Sequence, residues 1–167
     1  MAHAKLSASS SARWLNCTAS VAQSSKYPNT SSPAAMEGTA AHELGDICLS
    51  DFNKSPSDFL GKSLFDEPSI VINAEMILHI QDYIDYVKSY MTPTSNLMVE
   101  AKVSYSDYAH QGFGTSDVVL INGDICHIID LKYGRGISVD AENNTQLMLY
   151  ALGVYQEFYF KYDFKHF

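Results

Sequence analysis

A mixed fold, α/β with helices and strands both present, is predicted by three observations. The first is a hairpin. The stretch Gly114 to Lys132, GTSDVVLINGDICHIIDLK, sets two short apolar runs about an Asn122-Gly123 pair, and such a pair between apolar runs is the strongest short-range hairpin signal because both central residues tolerate positive φ. The second is the recurrence of Ile70, Ile77, Ile80, Ile84 and Val87 at three-to-four spacing, the mark of an amphipathic helix. The third is a further helical pattern, QLMLYALGVYQEFY, after the hairpin. Together they suggest a single domain over 1–167, mainly helical through 1–96, with its core strands and the following helix in 97–160.

Composition narrows the field. With 167 residues, 46% of them hydrophobic, the chain has material for a real core. No run approaches the roughly 18 to 20 apolar residues needed to cross a bilayer. The opening MAHAKLSASSSARW carries no apolar segment after its charges, so no membrane partner and a cytoplasmic location are expected. Cys17, Cys48 and Cys126 form no Cys-x-x-Cys pair and are odd in number, which argues against a disulfide framework and a structural zinc site. The net charge of −8 opposes DNA binding by bulk electrostatics.

Taken in order, Leu6 to Gln23 reads as a Ser-capped helix carrying Trp14, Leu15, Cys17 and Val21. A polar loop follows over Ser24 to Pro33. A second helix should begin near Ser32, with Pro33 at its first position, and run to about Phe52. Within it, Gly38 costs about 1 kcal/mol against Ala but lets a backbone or ligand approach closely. His42 shares a helical face with Gly38, Gly45 and Asp46; spacing alone leaves it an ordinary histidine or a ligand. Asn53 to Pro68 is a loop, and Ile70 to Tyr90 the amphipathic helix. Leu97 to Tyr105 is a strand by its β-branched content, with Glu100 and Lys102 on one face and Val99, Ala101 and Val103 on the other. Glu100 is then either part of an exposed face or a carboxylate turned toward the hairpin. Tyr133 to Thr145 is a loop whose Gly134-Arg135-Gly136 brings a cation near the carboxylates. The last helix, Gln146 to Tyr159, is capped by Asn143 or Asn144 and sets Gln146 and Tyr150 on one face. No clear strand is visible in Lys161 to Phe167.

The hairpin carries the chemistry. If Gly123 and Asp124 form a two-residue loop, Asp117 faces Asp130 directly; one step tighter, Asp130 is its diagonal neighbour. Either way both carboxylates share a face, and the period of two adds Lys132. Carboxylates at about 5 to 8 Å repel unless a cation or proton lies between them. Hard oxygen ligands of this kind suit one or two Mg²⁺ or Mn²⁺ ions and hydrolysis of a phosphodiester. The competing reading is an exposed salt-bridged strand edge, but HIIDLK follows a continuous apolar run of the kind buried on both faces, and a charged pair there is costly without a purpose.

The order of His42, Glu100, G-T-S-D with Asp117, I-I-D-L-K with Asp130 and Lys132, and Q-L-M-L-Y with Gln146 and Tyr150 resembles the PD-(D/E)XK nuclease superfamily, in its RecB-type branch. It is most similar there to phage-encoded RecB-like proteins that have an S-S-S-x-R-W-L-x-C opening, an E-G-T-x-x-H helix and an I-I-D-x-K-Y-G strand, so the likeness covers nearly the whole chain. The resemblance implies a restriction-endonuclease-like αβββαβ core with extra N-terminal helices and the last core strand missing. It implies that His42, Asp117, Asp130 and the Leu131 carbonyl hold the metal, that Lys132 is the catalytic lysine, and that Glu100 is the acidic residue of the first core strand. Gln146 and Tyr150, with Arg135, Glu37 and Thr39, would support the site or the DNA. Relatives with an iron-sulfur cluster place three cysteines after the core; none follows Cys126 here, so a cluster within this chain is not expected.

Two functions follow as expectations. One is a metal-dependent deoxyribonuclease, an exonuclease of phage DNA processing or recombination, whose partners are DNA and a phage recombination protein or host factor. The other is a non-catalytic, shortened RecB-like module that binds DNA or a partner protein, such as a host nuclease or defence component.

Overall fold

In the computed structural model, residues 4–27, 31–134 and 139–167 are described. They belong to two compact units: 1–29, 93–130 and 139–167 form the first, and 30–92 with 131–138 the second.

The first unit is built on an antiparallel sheet in the order β1 (Asn96–Ser104), β2 (Phe113–Asn122), β3 (Ile125–Ile129). Its N-terminal segment contains α1 (Ser11–Asn16) and α2 (Ala19–Ser24), where one continuous helix was expected. The helix breaks at Cys17, which is extended at φ −146° and ψ 96°. Ser, Asn and Thr side chains compete with the helix for backbone groups, and Asn16 Nδ2 does so by donating to the Ala12 carbonyl at 2.7 Å. Trp14 Nε1 donates to the Ser7 carbonyl at 2.9 Å and ties α1 to the turn before it.

Two helices of the second unit, α3 (Pro33–Ser50) and α4 (Ala74–Ser89), intervene in the sequence, and the long helix of the first unit is α5 (Thr145–Phe158). Asn144 caps it, its side chain accepting from the Gln146 and Leu147 amides. Neighbouring Asn143 takes the left-handed conformation, φ +57°, which asparagine tolerates. Leu149, Tyr150 and Val154 of α5 pack in one cluster with Val103, Tyr105, Val119, Ile121 and Cys126. The helix comes so close to β1 that a Cβ on Gly153 would meet Val103 Cβ at 2.9 Å. Tyr105 is fully buried, its hydroxyl within 3.0 Å of the Leu6 carbonyl and 2.9 Å of the Phe113 carbonyl. The C-terminal residues, which show no strand pattern, make a single parallel bridge between His166 and Ile125 along β3, with the Cys126 amide donating to the His166 carbonyl at 3.0 Å. One bridge is too short for a sequence pattern to reveal.

In the second unit, α3 (Pro33–Ser50) packs on α4 (Ala74–Ser89). Ala40, Ala41, Leu44, Cys48 and Leu49 are buried on α3, and Met76, Ile80, Ile84 and Val87 on α4. Ser32 caps α3 as expected, accepting from the Ala35 amide at 3.2 Å. The other helix starts four residues later than Ile70 because Asn73 caps it through the Met76 amide at 2.9 Å, while the Ile72 amide bonds the Lys62 carbonyl at 2.8 Å. Close approach on α3 falls at Gly45, where a Cβ would meet the Tyr83 ring at 3.3 Å; at Gly38 nothing is nearer than 3.9 Å. Glu43 accepts from the Phe65 and Asp66 amides at 2.9 Å each, which pins the intervening loop. No helix among the described residues is long and apolar enough to cross a membrane.

Candidate functional site

The hairpin takes the first of its two registers. Val118 pairs with Ile129 and Asn122 with Ile125, so Gly123 and Asp124 are the loop and Asp117 falls opposite Asp130, one step past the last paired residues. Gly123 has φ +63° and Asp124 has no positive φ, the pattern of a type II′ turn with glycine at its first central position.

Glu100 faces the same place from β1. The ladder brackets it by Val99 with Val118 and Ala101 with Ser116, which sets Glu100 opposite Asp117. A carboxylate oxygen of each lies within 4.8 Å of the other. Glu100 adopts φ +49°, a left-handed conformation that a residue of its kind takes at a cost of order 1 kcal/mol. That kink resets the strand's alternation: Met98, Ala101 and Val103 all pack against the α5 core, so Met98 holds the place assigned to Val99.

Across the sheet face, Gln146 Nε2 donates to Asp130 Oδ1 at 2.8 Å and to the Tyr150 hydroxyl at 3.3 Å. Tyr150 is buried, and its phenol is pushed up to about 12; burial is the main cause, the Gln146 hydrogen bond lowers it, and the Asp130 and Asp117 charges raise it. It is therefore a neutral hydroxyl at ordinary pH. Gly114 makes room for it, since a Cβ there would stand 2.8 Å from Tyr150 Cε1. The start of α5 is tied down by a 2.7 Å hydrogen bond between Thr145 Oγ1 and the buried Ser11 hydroxyl. Ser11, Thr145 and the steric role of Gly114 carry no sequence signal of their own; only the 134-residue separation closed by folding brings the first two together.

Asp130 and Lys132 lie beyond β3, which ends at Ile129. The regular strand that was to set Lys132 two residues past Asp130 thus ends at Ile129. Lys132 is exposed and, within the second unit, lines a cleft of about 590 Å³ together with Glu37, Asn73, Glu75, His79 and Tyr133. The Tyr133 ring meets His79 edge-on at 5.9 Å, and its phenol is raised by burial and then by Glu75 and Glu37. Leu131 is buried, its side chain 4.0 Å from where a Gly45 Cβ would stand. His42 is half-buried on α3, and Thr39 spends its hydroxyl on the Ala35 carbonyl at 3.1 Å. Arg135 lies outside the described residues.

Fold and site define a mixed α and β protein whose three-stranded antiparallel sheet sets Glu100 opposite Asp117 in mid-strand, with Asp130 one step past the end of β3. Over residues 3–167 the chain matches the family described as "Protein of unknown function (DUF2800)", and it belongs to that family. No solved structure matches it.

Proposed function

We propose that this protein is a metal-dependent DNA nuclease of the PD-(D/E)XK type, RecB-like in its core, acting as an exonuclease in phage DNA processing or recombination. The observation that carries the reading is the register that sets Glu100 opposite Asp117, their carboxylates within 4.8 Å, and Asp130 opposite Asp117 on the other side, with Gln146 bonded to Asp130. In support, the order of three strands, a helix and a parallel bridge suits an αβββαβ core.

The donor set fits the metal. Carboxylate oxygens without a thiolate favour Mg²⁺ or Mn²⁺, and like charges placed opposite one another on paired strands call for a cation. Asp117 and Asp130 would hold one or two ions, with Glu100 beside them; His42 and the Leu131 carbonyl join by the sequence resemblance. Bound there, Mg²⁺ or Mn²⁺ supplies Lewis acidity and neutralises charge on the phosphodiester. Gln146 keeps the Asp130 carboxylate aimed, and Tyr150 offers it a neutral, dry neighbour. By the same resemblance Lys132 would orient the attacking water or offset charge at the phosphate.

The test is degradation of single- and double-stranded DNA with Mg²⁺ or Mn²⁺. Activity is expected in the full chain and is lost in Asp130→Ala and Lys132→Ala, with melting temperatures measured alongside. A folded protein that cleaves neither DNA form with either metal overturns the reading. The −8 charge favours a second reading, a non-catalytic module that binds DNA or a partner protein; calorimetric metal binding without turnover, together with a stable partner in a pull-down, would select it.

A further inference from the structure

An acidic chain that acts on DNA needs somewhere to hold a polyanion, and charge is unevenly spread along this one. Residues 1–36 contain Lys5, Arg13 and Lys26 and no Asp or Glu, which leaves eight cations against nineteen carboxylates, −11, in the remainder. Within residues 1–36, those between Ala4 and Tyr27 fold around and wholly line a cleft of about 1150 Å³. Lys5 and Arg13 line it, both exposed, along with serine and threonine hydroxyls and no carboxylate.

Cations and hydroxyls without an acid are the complement of phosphate oxygens. Ser20 belongs to the cleft wall, and its enclosed Oγ makes no hydrogen bond within the protein, which is rare for a buried polar atom. Tyr27, 74% exposed, presents a ring at the same cleft, as stacking on unpaired bases requires. Trp14 is partly buried and spends its indole N–H on Ser7; it braces the backbone beside Arg13. Ser11, next to cleft-lining Ser10, hydrogen-bonds Thr145, the residue before Gln146, whose amide reaches Asp130.

We infer that this N-terminal cleft seats the phosphate backbone of a single-stranded nucleic acid and holds it for the carboxylate site. The inference rests on the nuclease reading for the identity of the polymer. Lys5 and Arg13 contact phosphates, the serine hydroxyls support them, and Tyr27 stacks on a base. Specificity for sequence is not built in, because none of these contacts reads a base edge.

Fluorescence anisotropy with labelled oligo-dT in EDTA, which prevents cleavage, tests it. The full chain binds, and Lys5→Ala with Arg13→Ala weakens binding by about tenfold and lowers the salt slope by about 1.4, as two lost single-strand phosphate contacts require. Both residues are exposed, so thermal melting is expected to be unchanged; Lys161→Ala, an exposed cation elsewhere in the unit, leaves binding as it was. Binding that is unaffected by the pair, or weakened equally by Lys161→Ala, overturns the cleft while leaving the nuclease reading intact. Inorganic phosphate binding as tightly as oligo-dT also overturns it, since the site would then be one for a small anion. Binding lost in the pair, in a chain that cleaves no DNA, upholds the cleft and removes the nuclease.

Discussion

Gln146 spends one amide on two groups, the Asp130 carboxylate at 2.8 Å and the Tyr150 hydroxyl at 3.3 Å. Replacing it with leucine keeps the volume and removes the donor. Loss of a hydrogen bond to a metal-holding carboxylate costs about 10- to 100-fold in metal affinity or activity, so on the proposed reading of Asp130 as a metal ligand Gln146→Leu should lower Mn²⁺ affinity by that factor in calorimetry. An unchanged titration would mean that Asp130 needs no help from α5. Glu100 presents the opposite balance, a charged residue held at φ +49°. Asparagine tolerates that conformation, so Glu100→Asn is expected to gain up to about 1 kcal/mol of stability while weakening Mn²⁺ binding. A variant that melts well below the parent would show that the Glu100 carboxylate serves the fold instead.

At the scale of elements, the site depends on how closely α5 lies on the sheet. Gly153 sits against Val103 and the Ser104 carbonyl, where a Cβ would come within 2.9 and 3.2 Å. Valine Cβ and backbone atoms cannot swing aside, so Gly153→Ala must lift the helix. Overpacking of this kind costs about 1 to 3 kcal/mol, readable as a fall in urea midpoint, and a reduced cleavage rate should accompany it because α5 carries Gln146 and Tyr150. In β1 and β2 the element boundaries were legible to within a residue or two, since β-branched runs and the Asn122-Gly123-Asp124 turn announce them. The loop position was not, because Asn-Gly and Gly-Asp compete for the same two-residue turn and only strand pairing decides between them.

For the molecule as a whole, two deeply buried phenols set its response to alkali. Burial pushes both Tyr105 and Tyr150 from an ordinary 10 to about 12. The folded state thus favours the neutral hydroxyl, and that contribution is whole below pH 10 and disappears as pH rises through 12. Phenolate absorbance should show Tyr105 and Tyr150 still neutral above pH 10, with stability falling over pH 10 to 12; loss of that late phase in the folded chain would contradict their burial. Sequence by itself determined the three long helices and the three strands, the shared place of Asp117 and Asp130, and the face joining Gln146 to Tyr150, because periods of two and 3.6 are local properties of the chain. Tertiary structure alone decided that Glu100 stands against Asp117 in a left-handed kink, that Gln146 reaches Asp130, that β3 stops before Lys132, and that Ser11 anchors Thr145 across 134 residues. Those facts depend on register and packing between distant segments, where the energy lies in contacts that no local pattern records.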